Sequence, residues 1–137
     1  MVESRVRVRY AETDQMGVVY HSNYLIWMEV GRVEYFRSSG RSYREMEADD
    51  GVLLAVAEAN CRYLYPARYD DEVIIRTTIG SANPRMVQFD YELLNTDGRP
   101  FAKGFTKHVF CGRDFRPCKL PEKYHSVFGI QKEAQPL

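Results

Sequence analysis

The segment Tyr24–Phe36 limits what this chain can fold into more than any other. Nine of its thirteen residues are apolar or aromatic: Tyr24, Leu25, Ile26, Trp27, Met28, Val30, Val33, Tyr35 and Phe36. In the first half they point in every direction around a helical axis. A helix of that kind lacks the polar face that a surface helix keeps toward water, so it is expected to be enclosed on most sides. Boundary signals agree with a helix here. His21, Ser22 and Asn23 precede it, and Ser and Asn side chains can accept the free N–H groups of a first turn. Ser38-Ser39-Gly40 follows, with Gly40 suited to the position just past a helix end. A short polar helix is predicted over Ser42–Ala48.

The rest of the 137 residues must supply the enclosure. Val6-Arg7-Val8-Arg9-Tyr10 alternates apolar and charged side chains, the pattern of a half-buried strand. Val52–Tyr65 is a longer strand with small residues at Ala55, Ala57, Ala59 and Cys61, which let another element approach closely. Pro66 and Asp70-Asp71 mark a turn, and Val73–Ile79 is the next strand. Asn83-Pro84 turns the chain into Met86–Leu94, where Val87, Phe89, Tyr91 and Leu93 alternate with Gln88, Asp90 and Glu92. Asn95-Thr96-Asp97-Gly98 is a hairpin turn with Asp-Gly at its tip. Phe101–Cys111 is the last strand, and a short helix near Glu122–Phe128 with a loose tail closes the chain. One strand, one long helix and four further strands predict an α+β fold: a five-stranded antiparallel sheet wrapped around the helix. The expected organisation is one domain over residues 1–137 with its core at about 5–128. Such a sheet has two edges, and pairing with a second copy is a common way to cover one.

Composition narrows the function. Apolar residues make up 45% and charged residues 28% of the chain, which is globular composition. The longest uninterrupted apolar run, Val52–Ala57, is far short of a bilayer span. Met1-Val2-Glu3-Ser4-Arg5 has no apolar leader core, so a cytoplasmic protein with no transmembrane segment is expected. Cys61, Cys111 and Cys118 are odd in number and lack CxxC spacing, which argues against a disulfide framework or structural zinc. His21, His108 and His125 are scattered and form no HExxH pattern, so no metal is expected. Lys plus Arg equals Asp plus Glu at 19 each, against the basic excess of a nucleic-acid reader. The charge is uneven, however. Arg99, Lys103, Lys107, Arg113, Arg116 and Lys119 share their segment with Asp114 as its only acid. That segment is either a site for a small anionic ligand or a solvated strand face.

The richest stretch for chemistry is Tyr10–Tyr24, where a strand end, a polar loop and a helix start adjoin. The first turn of a helix has N–H groups without intrahelical partners and a positive dipole end, which can hold an anion or a carbonyl oxygen becoming one. Asp14, a few residues upstream, has two roles open to it. It can attack, or deprotonate water against, a carbonyl held there, or it can close a turn on its own backbone. Glu12 is either a loop-orienting group or a surface charge. No GxSxG elbow competes, and Cys61 reads as a small packing residue.

Tyr10-Ala11-Glu12-Thr13-Asp14-Gln15-Met16-Gly17-Val18-Val19-Tyr20-His21-Ser22-Asn23-Tyr24 resembles the signature of hotdog-fold acyl-CoA thioesterases of the 4-hydroxybenzoyl-CoA thioesterase type. Asp14, Gly17, Val18-Val19-Tyr20 and Asn23-Tyr24 are in register with it, and His21 matches the branch related to bacterial Tol–Pal-associated thioesterases. The likeness extends to Tyr65-Pro66-Ala67-Arg68-Tyr69-Asp70-Asp71 and spans about Arg5–Phe128. It implies the hotdog fold and an acyl-CoA thioesterase acting on a small-to-medium acyl group. Asp14 would be nucleophile or general base, and N–H groups near His21 and Ser22 would polarise the thioester oxygen. Gly17, Tyr20, Ser22 and Asn23 would shape the oxyanion and substrate site. His21 would orient substrate or water, or else serve as a helix-capping or core residue. Arg85, Arg113 and Arg116 would meet the phosphates of coenzyme A, which is part of the substrate, so no separate cofactor is implied. The resemblance further implies at least a homodimer, with a homotetramer built as a dimer of dimers. Tyr24, Trp27, Met28, Tyr63 and Tyr65 would line an acyl pocket or belong to the core. Two other readings stand beside this one: a non-catalytic acyl-CoA binder, and a hotdog hydratase or dehydratase using the Asp14–His21 pair.

Overall fold

The computed structural model describes residues 1–131. The chain opens with β1 (Val2–Arg7), whose side chains alternate between half-buried and exposed. This strand begins and ends earlier than the alternation Val6–Tyr10 predicts. Val8 continues the inward pattern, but Tyr10–Glu12 closes into a 3-10 turn. Helix α1 (Ser22–Ser38) follows, then α2 (Tyr43–Asp50), whose first turn is capped by Ser42 Oγ accepting from the Glu45 amide at 3.1 Å. Four strands complete the sheet: β2 (Leu53–Tyr63), β3 (Glu72–Asn83), β4 (Met86–Leu94) and β5 (Pro100–Cys111). A 3-10 segment, Glu122–Phe128, occupies the place of the predicted last helix. The tail expected beyond it lies mostly outside the described residues.

All five strands pair antiparallel in the order β1-β3-β4-β5-β2. Strands β1 and β2 therefore occupy opposite edges although only the two helices separate them in sequence. That connection forces α1 to cross the concave face of the sheet, which is the hotdog arrangement. The helix buries Tyr24, Trp27, Met28, Gly31 and Phe36 against it. Gly31 marks the closest approach: a Cβ there would stand 2.4 Å from Thr77 Oγ1 and 2.8 Å from Ile75 Cγ2. At the far end of α1, Phe36 stacks on Tyr43 at 4.7 Å and meets Phe128 at 5.7 Å, closing the core.

Among the described residues, the outer side of α1 and the outer edge of β2 stay uncovered. The sequence predicts α1 to be enclosed on most sides, but one sheet covers one side only, and Ile26 remains 51% exposed on the other. Strand β2 has β5 on one side and nothing on the other among the described residues. Its small residues Ala55, Ala57 and Ala59 are exposed, as is Val56 at 57%. Among the described residues, no other element makes the close approach that those residues allow.

Beneath α1 runs a buried polar chain. Arg32 Nη1 donates to Tyr91 Oη at 3.3 Å, Tyr91 Oη lies 2.6 Å from Thr106 Oγ1, and Thr106 Oγ1 lies 2.8 Å from His108 Nε2. Burial, with the Arg32 charge adding to it, pushes the His108 imidazole down to about 4. No helix of the described residues is long and apolar enough to cross a membrane.

Candidate active site

The loop between β1 and α1 folds on itself through local bonds. Asp14 Oδ1 accepts from the Met16 amide at 2.8 Å, the Gly17 amide donates to Asp14 O at 3.0 Å, and the Asp14 amide donates to Val18 O at 2.9 Å. Gly17 makes the reversal at φ +80°, a conformation that costs glycine little and other residues more. Asp14 thus takes the turn-closing role with one carboxylate oxygen. Among the described residues Oδ2 is engaged by nothing. The loop is pinned to the segment after β2: the Val19 amide donates to Ala67 O at 2.8 Å, and the Ala67 amide donates to Tyr24 Oη at 3.2 Å. Asp14, His21, Tyr24, Tyr63, Tyr65 and Pro66 line one cavity of about 320 Å³. Burial raises the Tyr24 hydroxyl above its ordinary pKa, so it stays protonated as a wall of that cavity.

Helix α1 begins beside Asp14, but not with the side-chain cap the sequence predicts. No side chain of His21, Ser22 or Asn23 accepts a bond from the first-turn amides among the described residues. The Asn23 amide instead donates Nδ2 to Glu12 O at 3.0 Å and to Tyr20 O at 3.2 Å, because two loop carbonyls converge on it. The Asn23 and Tyr24 backbone amides turn back to Tyr20 O and His21 O. Those of His21 and Ser22 are left outside the helical ladder, at its electropositive end. The His21 ring is exposed, packed 4.4 Å from the Tyr20 ring, and its backbone carbonyl accepts from Tyr63 Oη at 3.1 Å. Tyr20 and Ser22 are exposed nearby.

Glu12 is one of the residues whose role the sequence leaves open. Its carboxylate is buried, with Oε1 2.8 Å from the Arg9 amide and Oε2 3.3 Å from Trp27 Nε1. The signal was its position two residues before Asp14, but nothing in the spacing says which of the two acids turns inward. Of the aromatic and sulfur side chains considered for an acyl pocket, Tyr24, Tyr63 and Tyr65 reach the cavity, while Trp27 and Met28 belong to the core. Cys61 is half-buried and burial raises its thiol pKa, as suits a packing residue.

The three arginines considered for phosphate contact differ in how they are engaged. Arg85 is exposed in the β3–β4 turn. Arg113 is engaged, donating Nη2 to Ala48 O at 2.7 Å and Glu47 O at 3.3 Å at the end of α2. Arg116 is exposed with Asp114 3.9 Å away. Within the same basic segment, Arg99 lies 3.9 Å over the Tyr65 ring, Lys103 pairs with Glu92 and Lys107 with Glu58.

The chain is similar to known proteins in sequence and in fold. The chain is 36% identical over 123 residues to YneP of Bacillus subtilis (strain 168), covering 89% of this chain and 88% of that one. It is 35% identical over 92 residues to the acyl-CoA thioester hydrolase YbgC of Escherichia coli O6:H1, covering 67% and 68%. Among solved structures, the DHNA-CoA thioesterase from Staphylococcus aureus superposes with a TM-score of 0.88 at 31% identity, over 93% of this chain and 87% of that one. The sequence model of the Thioesterase-like superfamily matches residues 8–128, a span that takes in the Asp14 loop, α1 and the whole sheet from β2 onward. The chain therefore belongs to the Thioesterase-like superfamily, a family of hotdog-fold enzymes.

Proposed function

We propose that this protein hydrolyses the thioester of a small-to-medium acyl-CoA to a carboxylic acid and free coenzyme A. The observation that carries the reading is the meeting of the Asp14 carboxylate and the first turn of α1 at one cavity in a chain of this family. A thioester is already activated, and its thiolate leaves readily, so one carboxylate and an oxyanion site can suffice without a triad. In this reading the carbonyl oxygen lies at the free His21 and Ser22 amides. Asp14 takes a proton from water as the water oxygen bonds to the carbonyl carbon, or attacks that carbon itself to give an anhydride that water then splits. Either way the C–S bond breaks, and the sulfur leaves with the electron pair and is protonated. Gly17 shapes the turn, Tyr20 and Asn23 hold the helix entry, and His21 orients substrate or water. Tyr24, Tyr63 and Tyr65 wall the acyl group. The phosphates of coenzyme A meet exposed Arg85 and Arg116, with Arg113 three residues before Arg116. No cofactor takes part.

The unpaired β2 edge supports a homodimer in which two sheets join, and the apolar outer side of α1 supports a dimer of dimers. His21, in register with the motif, supports a place in the Tol–Pal-associated branch. We take the chain as one domain acting in the cytoplasm. The test is thiol release from a panel of short, long, branched and aromatic acyl-CoAs, run beside the Asp14→Asn variant. Thiol release lost in that variant, with the fold and acyl-CoA affinity kept, supports the reading. Absence of thiol release from every member of the panel in the parent protein refutes it.

A further inference from the structure

Glu12 and Asp14 stand two residues apart on one loop in opposite surroundings. Asp14 lines the cavity, whereas Glu12 is 5% exposed and faces inward. Five hydrogen bonds tie Glu12 into the loop-helix junction, one of them its own amide donating to Arg9 O at 3.0 Å, and the Arg9 guanidinium Nε lies 3.4 Å from its Oε1. Its carboxylate accepts from the Arg9 amide at 2.8 Å and from Trp27 Nε1 at 3.3 Å. Its backbone carbonyl accepts from the Tyr20 amide at 2.8 Å and from Asn23 Nδ2 at 3.0 Å. Arg9 is the stem of the loop, Tyr20 its returning limb, Asn23 the first turn of α1 and Trp27 the second.

We propose that Glu12 is a positioning residue: its buried carboxylate, clamped between the Arg9 amide and the Trp27 indole, sets the placement of Asp14 relative to the first turn of α1. The proposal rests on the reading of Asp14 as the catalytic carboxylate. The chemistry of the clamp requires an acid. The Arg9 amide and the Trp27 indole are N–H donors, the Arg9 guanidinium adds a positive charge 3.4 Å from Oε1, and a carboxylate offers an acceptor to each side. A glutamine of the same shape has one acceptor and one NH2, so one of the two donors faces another donor. A buried donor without an acceptor is costly, and the local backbone shifts to relieve it. Asp14 lies between Glu12 and Tyr20, so a shift at Glu12 moves the segment that carries the reacting group. A residue that merely filled space would tolerate the amide.

Trp27 is the only tryptophan in the chain, so its indole N–H resonance reports one arm of the clamp without ambiguity. The experiment combines that resonance with steady-state kinetics for Glu12→Gln, Trp27→Phe and Glu12→Ala, beside Asp14→Asn. In Glu12→Gln the expected results are a native circular dichroism spectrum, an upfield shift of the indole N–H and a kcat about 10²-fold lower, the scale of a misplacement near 1 Å. KM stays within about threefold, because the lost interaction serves the reacting group and not ground-state binding. Trp27→Phe, which removes one donor and leaves Arg9 in place, lowers kcat less. Glu12→Ala, if it folds, lowers it at least as much as the glutamine. The proposal is overturned if folded Glu12→Gln keeps kcat within about threefold of the parent, or loses only KM. Asp14→Asn separates the two failures. If it is inactive while Glu12→Gln is unaffected, only the clamp falls. If it retains full turnover, the reading of Asp14 falls and the clamp with it.

Discussion

The loop Tyr10–Tyr24 and the basic segment Arg99–Lys119 are both concentrations of functional side chains in sequence, and they fare differently in space. In the loop, residues that are close in sequence meet: Asp14 and His21 line one cavity, and Asn23 and Tyr20 bond back to Glu12. In the basic segment they disperse. Arg99 covers Tyr65, Lys103 and Lys107 pair with acids on the neighbouring strands, and Arg113 reaches across to the end of α2. A turn brings its residues together whatever surrounds it, while a strand spaces them along its length and sends alternate ones to opposite faces. Charge density along a strand is therefore a poor guide to which side chains meet, and residue order in a tight turn is a good one.

The comparison breaks most visibly at Asp14. Asp14→Asn is expected to lower turnover by about 10²–10⁴-fold with the fold and acyl-CoA affinity largely kept, as measured by thiol release and by calorimetric titration with a non-hydrolysable analogue. A variant with full turnover would put the loop on the same footing as the basic segment. Next in size is the β2 edge. Val56→Lys places a charge on the uncovered side of that strand, a device that blocks edge pairing. If the proposed dimer forms through this edge, sedimentation shows a monomer in the variant, and turnover falls with the dimer fraction. A monomer of full activity would show that the cavity of a single chain is sufficient.

Smaller effects sharpen the other half of the comparison. Arg113→Ala removes two bonds to α2 carbonyls and is expected to cost about 1–2 kcal/mol in chemical denaturation, with KM for acyl-CoA unchanged. Arg116→Ala should leave stability alone, raise KM a few-fold and weaken its dependence on salt. Equal effects of the two would mean that Arg113 leaves its helix end to bind phosphate. The smallest effect is set by His108. Its folded pKa of about 4 lies below the ordinary value of 6.5, so the folded state binds fewer protons between those limits. Stability from its burial is complete above pH 6.5 and is lost as pH falls toward 4. Melting temperature should decline over that window, and His108→Gln should flatten the decline.

Much of this molecule was legible in its residues, and the exceptions share one cause. The alternation in Met86–Leu94, the Asp97-Gly98 turn and the apolar run of α1 each express a short-range rule, and each appears in the fold. The Asp14–Gly17 turn was legible for the same reason. The burial of Glu12 was not, because its partner Trp27 lies fifteen residues on and reaches it only once α1 crosses the sheet. The cap expected of Ser22 and Asn23 failed for a related reason: Asn23 was drawn into the loop by carbonyls that no spacing rule brings beside it.

What the sequence determined by itself is the set of parts: a helix too apolar to stand alone, strands to lie under it, and a turn that presents an acid near the helix start. These follow from side-chain periodicity and backbone preference within a few residues of chain. Tertiary structure alone decided which acid is buried and which is open, which arginines are already engaged, and that among the described residues the β2 edge and the outer side of α1 are left without cover. Those outcomes depend on the strand order β1-β3-β4-β5-β2, which joins residues far apart in the chain through packing that no local pattern encodes.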